Sequence, residues 1–204
     1  LVTNDTDANQ VNVSASAVLE NSTFDYINLN GGTPTITGNI LSNDRPFRMN
    51  DPDRSLSGIS GNTYTHANPE IYVSGVLNGT RTFVEVDGLD TYAMSSTTIA
   101  SGGSLEIDSG ITWRLLSTLT VDGQLSSTGM TFTDSGAIAV RNGGQADLTD
   151  CAMTSGTKSV SYNSGSSGTI DNCDGNWVLY IDSANVLVTN DTDANQVNVS
   201  ASAV

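Results

Sequence analysis

Two cysteines, Cys151 and Cys173, and one histidine, His66, are the soft metal ligands of this 204-residue chain. They are too few for a closed structural zinc site. The cysteines instead pose a choice between a disulfide and a pair of buried thiols. Hard cations need clustered oxygens, and two Asp-rich turns supply some. One is Asn4-Asp-Thr-Asp7, with Asp5 and Asp7, repeated at Asn190 to Asp193; the other is Asn50-Asp-Pro-Asp53, with Asp51 and Asp53. Calcium takes about six to eight oxygens, and neither turn has the spacing or the bidentate Glu of a complete loop. At most a weak calcium site is expected, with no other cofactor. Carboxylate clusters cleave polysaccharides when basic residues or calcium assist them. Asp147, Asp150, Asp171 and Asp174 are such a cluster in sequence, but only Arg141 and Lys158 lie nearby. His66 lacks an evident Ser or Asp partner. Arg45, Arg48 and Arg54 beside Asp51 and Asp53 read as a loop salt-bridge network. No enzyme is expected.

Seven basic against 22 acidic residues give a net charge of −15. Phosphate recognition needs Lys and Arg patches, so nucleic acid is excluded as a partner. No apolar run approaches the roughly 20 residues of a membrane-spanning helix. Ser, Thr, Gly and Asn are abundant, so hydroxyls and amides solvate the surface, as suits an extracellular β protein. Sequons begin at Asn4, Asn12, Asn21, Asn78, Asn190 and Asn198, a pattern that fits a secreted glycoprotein. Leu1 is not an initiator and no signal peptide is visible, so targeting information is expected outside this window.

The elements that must carry these groups are strands. Leu105 and Ile107, Leu119 and Val121, Ile138 and Val140, and Leu179 and Ile181 each alternate with small or polar residues. Gly, Asn, Asp or Ser closes each run. Two repeats overlie this pattern. The first 18 residues, Leu1 to Val18, recur unchanged as Leu187 to Val204, an offset of 187 − 1 = 186. Identity of that length marks one unit of a tandem array plus the start of the next. A shorter repeat consists of tetrads: Phe132-Thr-Asp-Ser135, Leu148-Thr-Asp-Cys151, Ile170-Asp-Asn-Cys173, Val188-Thr-Asn-Asp191, then Leu19-Glu-Asn-Ser22 and Leu41-Ser-Asn-Asp44. Their spacing of 16 to 22 residues averages 19, which fits the coil of a parallel β-helix whose coils stack about 4.8 Å apart.

In such a stack the first tetrad position forms an aliphatic column. The third collects Asn4, Asn21, Asn43, Asp134, Asp150, Asn172 and Asn190. Asn and Asp tolerate the left-handed backbone of a corner, so a ladder is expected there. Cys151 and Cys173 share the fourth position on consecutive coils, roughly 5 Å apart, within disulfide range. Glycans are expected at Asn12, Asn78 and Asn198 rather than at the ladder positions. The stretch 45–69, with Pro46 and Pro52, lacks ladder donors and is expected to leave the solenoid as a loop or small subdomain. Coils are expected over 1–44 and 70–186, with 187–204 starting the next repeat.

The stretch Ser95 to Ser135 resembles the repeats of right-handed parallel β-helix surface proteins. The resemblance rests on Ser101-Gly-Gly-Ser-Leu-Glu-Ile-Asp-Ser-Gly110 and Leu119-Thr-Val-Asp-Gly123. It implies an all-β solenoid continuing across tandem repeats and says little of function, because that fold hosts many. The expected role is structural: a stalk, fibre or sheath at a microbial surface, with further copies of itself as partner. The alternative is an adhesin that binds surface glycans through the 45–69 excursion.

Overall fold

Alternating apolar and polar runs, closed by residues that accept a left-handed backbone, become strands along the whole chain. The computed structural model describes residues 2–3, 8–190, 194 and 196–200. Among the described residues there are 24 strands and no helix. The strands form parallel ladders, and the one isolated antiparallel bridge is Val86–Leu89. Each strand pairs with one about a coil away in sequence. The result is a β-solenoid of about 8 turns.

The coils stack in ladders on three faces. On one face Val2–Thr3, Val18–Glu20, Thr35–Thr37 and Ile59–Ser60 form a sheet; Thr80–Phe83, Ser104–Ile107, Gln124–Thr128, Gln145–Thr149, Ser167–Asp171 and Asn185–Thr189 form another. A 14-stranded sheet wraps the remaining two. Register sets the core. Leu119, Ile138, Val160 and Leu179 pair in one vertical column, and Val121, Val140, Tyr162 and Ile181 in the next. All eight are buried, while the residues between them point outward. Within each ladder a coil's backbone edge is satisfied by its neighbour, so free edges are confined to the ladder ends.

The expected tetrads mix two corners. Leu148, Ile170 and Val188 do share a column, as do Val2 and Leu19. Phe132 does not: it pairs with Trp113 and Met153 on the next face, and Ser127 holds the place below Leu148. Leu41 likewise stacks between Phe24 and Tyr64, and Ile36 holds the place above Leu19. The two corners of one coil carry similar residues, so a tetrad from either matches the pattern.

Residues 45–69 stay inside the solenoid. Phe47–Met49, Ile59–Ser60 and Thr63–Tyr64 are rungs paired on the coil below. Pro46 immediately precedes its rung, and Pro52 lies in a turn, so neither removes a ladder donor. The irregular parts are the turns 50–58 and 65–70.

What happens at this height is a change of frame. Ile71–Val73 continues an existing stack, pairing with Phe47–Met49 below and Tyr92–Met94 above. The second half of the same strand, Gly75–Leu77, pairs only upward among the described residues, with Thr97–Ile99. A register shift separates the halves. Gly75 lies in it at φ 104°, and a Cβ there would sit 2.5 Å from the Asn50 carbonyl oxygen. Two ladders therefore end at Ile59–Ser60 and Thr63–Tyr64, and new ones begin at Gly75–Leu77 and Thr80–Phe83.

Candidate functional site

Three places could carry function: the corners that hold coils together, the duplicated coil, and a charged lateral face. The corner positions come first. Asn21, Asp150, Asn172 and Asn190 all adopt left-handed φ between 50° and 53°. Asp134 is left-handed too, at φ 66°, but at the neighbouring corner, where its carboxylate accepts from Arg114 Nε at 2.8 Å. Asn43 is not left-handed; its Oδ1 accepts from Arg45 N at 3.0 Å and closes a local turn. Asn4 lies outside the described residues. Asn172 Nδ2 donates to Asp150 Oδ1 at 2.6 Å, the inter-coil bond expected of a ladder. Asn190 donates to Asp171 instead.

The better ladder lies one residue later, in the lower coils, at Ser22, Asn39 and Asn62. Asn39 Oδ1 accepts from Ser22 N at 3.0 Å, and Asn62 Oδ1 accepts from Asn39 N at 3.0 Å. Asn39 Nδ2 donates to the carbonyls of Leu19 and Thr37, and Asn62 Nδ2 to that of Ile36. Asn39 is wholly buried. Asp87 ends the series: its carboxylate accepts from Gly61 N, Asn62 N, Asn62 Nδ2 and Tyr64 OH at 2.6 to 3.0 Å. Burial would raise the Asp87 pKa. Its hydrogen bonds outweigh that and hold it below the usual carboxylate value. Sequence reasoning missed this ladder, although Ile36-Thr-Gly-Asn39 and Ile59-Ser-Gly-Asn62 carried the signal.

At the equivalent place in the upper coils stand Cys151 and Cys173. They are free and buried thiols, not a bridge. Each thiol bonds within its own stack: Cys151 Sγ donates to the Thr149 carbonyl at 3.4 Å, Cys173 Sγ to that of Leu148 at 3.6 Å. A hydrogen bond from Cys173 lowers the Cys151 pKa.

Of the two candidate calcium turns, one falls within the described residues. Asp5 and Asp7 lie outside the described residues. Asp51 pairs with Arg54 Nη2 at 2.6 Å, and Asp53 accepts from Asn78 N and Gly79 N at 3.0 and 2.8 Å. Among the described residues no three His, Cys, Asp or Glu side chains gather for a metal. Asp147 and Asp150 accept bonds from Gln145 and Asn172. Of the glycan candidates, Asn78 is exposed in a turn. Asn12 and Asn198 point outward from equivalent strands, and Asn12 Oδ1 accepts from Asn28 Nδ2 at 2.8 Å.

The duplicated coil occurs at both ends of the stack. As Val188-Thr189 it pairs with Ile170-Asp171 below, and as Val2-Thr3 with Leu19-Glu20 above. As Gln196–Val199 it pairs with Val178–Ile181 below, and as Gln10–Val13 with Tyr26–Leu29 above. The bonds use different groups. Ser200 N donates down to the Ile181 carbonyl, whereas the Val13 carbonyl accepts from Asn30 N above. An internal bond, Gln10 Nε2 to Asn12 Oδ1, recurs as Gln196 to Asn198. Coverage differs: Val13 is 3% exposed, and its counterpart Val199 is 58% exposed.

The lateral face gathers charges from distant coils. Glu70 is buried, with Arg45 Nε on one oxygen at 2.8 Å and Arg114 on the other. Arg114 also pairs with Asp134, whose charge acts on buried Lys158. Ala93 pairs with Arg114 in the coil between, and its small side chain leaves room for Arg114 to reach Glu70. Beside this chain the Arg48 guanidinium lies over the Tyr26 ring at 3.7 Å, and the Arg45 guanidinium over Tyr72 at 5.1 Å. Tyr26, Asn28, Arg45, Arg48, Asn50 and Tyr72 line an open cavity of about 310 Å³. A second cavity, about 430 Å³, opens where the frame changes, between 54–59 and 80–87.

No family model matches this chain, and neither a curated protein nor a solved structure matches it.

Proposed function

We propose that the chain is a structural unit of a continuous β-solenoid shaft, in which one 186-residue repeat runs into the next without a linker. The observation that carries this is the duplicated coil. The same residues form ladders downward in one copy and upward in the other, with hydrogen bonds that do not compete. A coil placed between two units therefore satisfies both edges at once. Val197 and Val199 are 50% and 58% exposed, so covering them adds about half of the roughly 1.5–3 kcal/mol that full burial of each side chain gives. The acidic, hydroxyl-rich surface suits an extracellular stalk, fibre or sheath, with further copies of the same chain as its partners.

The test is a two-unit polypeptide, in which residues 1–186 precede a second such unit ending in the duplicated 18 residues. Nine successive strand pairings lead from Gln10–Val13 to its copy Gln196–Val199, and at about 4.8 Å per step each unit adds roughly 43 Å of rod. Solution scattering and electron microscopy should show one rod longer by that amount. Two particles joined by a flexible tether would refute the shaft.

A further inference from the structure

Seven basic residues serve a chain of net charge −15. Four of them, Arg45, Arg48, Arg114 and Lys158, stand on or beside one lateral face. Three have acidic neighbours there: Glu70 serves Arg45 and Arg114, and Asp134 serves Arg114 and Lys158. Among the described residues Arg48 takes part in no ion pair. Its Nη2 bonds only to the neutral Asn43 amide, at 3.3 Å, and its Nε is buried with no hydrogen-bond partner. A guanidinium cannot shed its proton near neutral pH. The Tyr26 ring face offsets part of the charge, but a desolvated nitrogen without a hydrogen bond stays costly unless an anion reaches it.

We infer that the 310 Å³ cavity is a seat for a carboxylate- or sulfate-bearing sugar unit of an acidic glycan, with Arg48 as the anion donor. Tyr26 and Tyr72 stack on the two guanidiniums and hold their planes. Such stacking preorganises the donor fork that matches an oxyanion bidentately. The other two lining residues, Asn28 and Asn50, carry amides bonded to Asn12 and Asn30; each keeps a second N–H and an oxygen lone pair for a sugar hydroxyl. The lining has no aliphatic side chain, and guanidiniums cover its two tyrosine rings, so it offers little to anchor the apolar residues of a peptide. Its volume falls at the lower end of small-ligand pockets, about 300–1,000 Å³. The seat is independent of the shaft, and the two-unit experiment comes out the same whether or not the seat binds.

Calorimetric titration of the full chain tests it with three probes: oligogalacturonate, a neutral malto-oligosaccharide of equal length, and polyglutamate. Oligogalacturonate should bind and the neutral sugar should not. Arg48→Gln should weaken binding by about tenfold or more, since charged hydrogen bonds carry such losses. Arg48→Lys should restore it only in part, because a point charge lacks the fork. Asn50→Ala, at the exposed rim, should weaken binding in a chain whose core is untouched. Arg141→Gln should change nothing, since Arg141 pairs with Asp122 away from the cavity. The absence of oligogalacturonate binding, equal binding of the neutral sugar, or indifference to both Arg48→Gln and Asn50→Ala would overturn the seat. Equal binding of polyglutamate with the same Arg48 dependence would overturn the sugar and point to an acidic peptide.

Discussion

At the scale of single residues, the coils of the lower half are tied by amides that touch three coils at once. Asn39 is the centre of that arrangement. Asn39→Ala would remove the buried bonds to the Ser22 N–H and to the Leu19 and Thr37 carbonyls, of which Thr37 still accepts from Asn21 N, and a buried group left unsatisfied costs about 1–3 kcal/mol. We expect a loss of about 3 kcal/mol in denaturant unfolding; a loss within the error of a surface substitution would show the ladder to be ornamental. Asp87 makes the same corner sensitive to acid. Its carboxylate has a folded pKa below the unfolded value of about 3.9. A depressed folded pKa contributes stability above the unfolded value, and that contribution disappears as pH falls through the folded one. Melting temperature should therefore drop below about pH 4, and less steeply in Asp87→Ala, which starts lower at neutral pH. Parallel pH profiles for the two proteins would contradict the cap.

Among the elements, the strand Ile71–Leu77 decides most. Its first half extends one set of ladders and its second half founds another. The hinge is Gly75, whose φ of 104° and 2.5 Å approach to the Asn50 carbonyl leave no place for a Cβ. Gly75→Ala should cost about 1–3 kcal/mol. Hydrogen exchange should accelerate first in Ile59–Ser60 and Thr80–Phe83, which flank the change of frame. Uniform acceleration along the chain would mean that the two halves are not separable in stability. Part of this was legible in sequence: the strands around Leu119-Thr-Val121 and Ile138-Ala-Val140 follow from alternation alone. The change of frame was not. Pro46 and Pro52 suggested an excursion, yet the chain absorbs both outside its hydrogen-bonded rungs.

For the whole molecule, the repeat governs. In the proposed shaft, the duplicated coil would let one unit follow another, each new coil burying the open end of the last. A two-unit chain should melt above a single unit in one transition, because stacked units share an interface and the number of open ends stays at two. Two transitions, or an unchanged midpoint, would separate the units. The charged lateral face belongs to this scale too. Glu70 and Arg114 are 44 residues apart and meet only because two coil steps bring them onto one face.

The sequence by itself determined the all-β class, the parallel stacking and the left-handed corners at Asn21, Asp150, Asn172 and Asn190. Those follow from period-two alternation, from a near-regular repeat and from local backbone preference, all properties of neighbouring residues. Only the tertiary structure decided which tetrads stand above one another. True first-column spacings run from 17 residues, Leu19 to Ile36, to 24, Phe83 to Ile107. Similar corners such as Phe132 and Leu148 can be told apart only by the burial each register achieves. That burial sums over all the coils, as does the meeting of Arg45, Glu70 and Arg114, and no short stretch of sequence contains it.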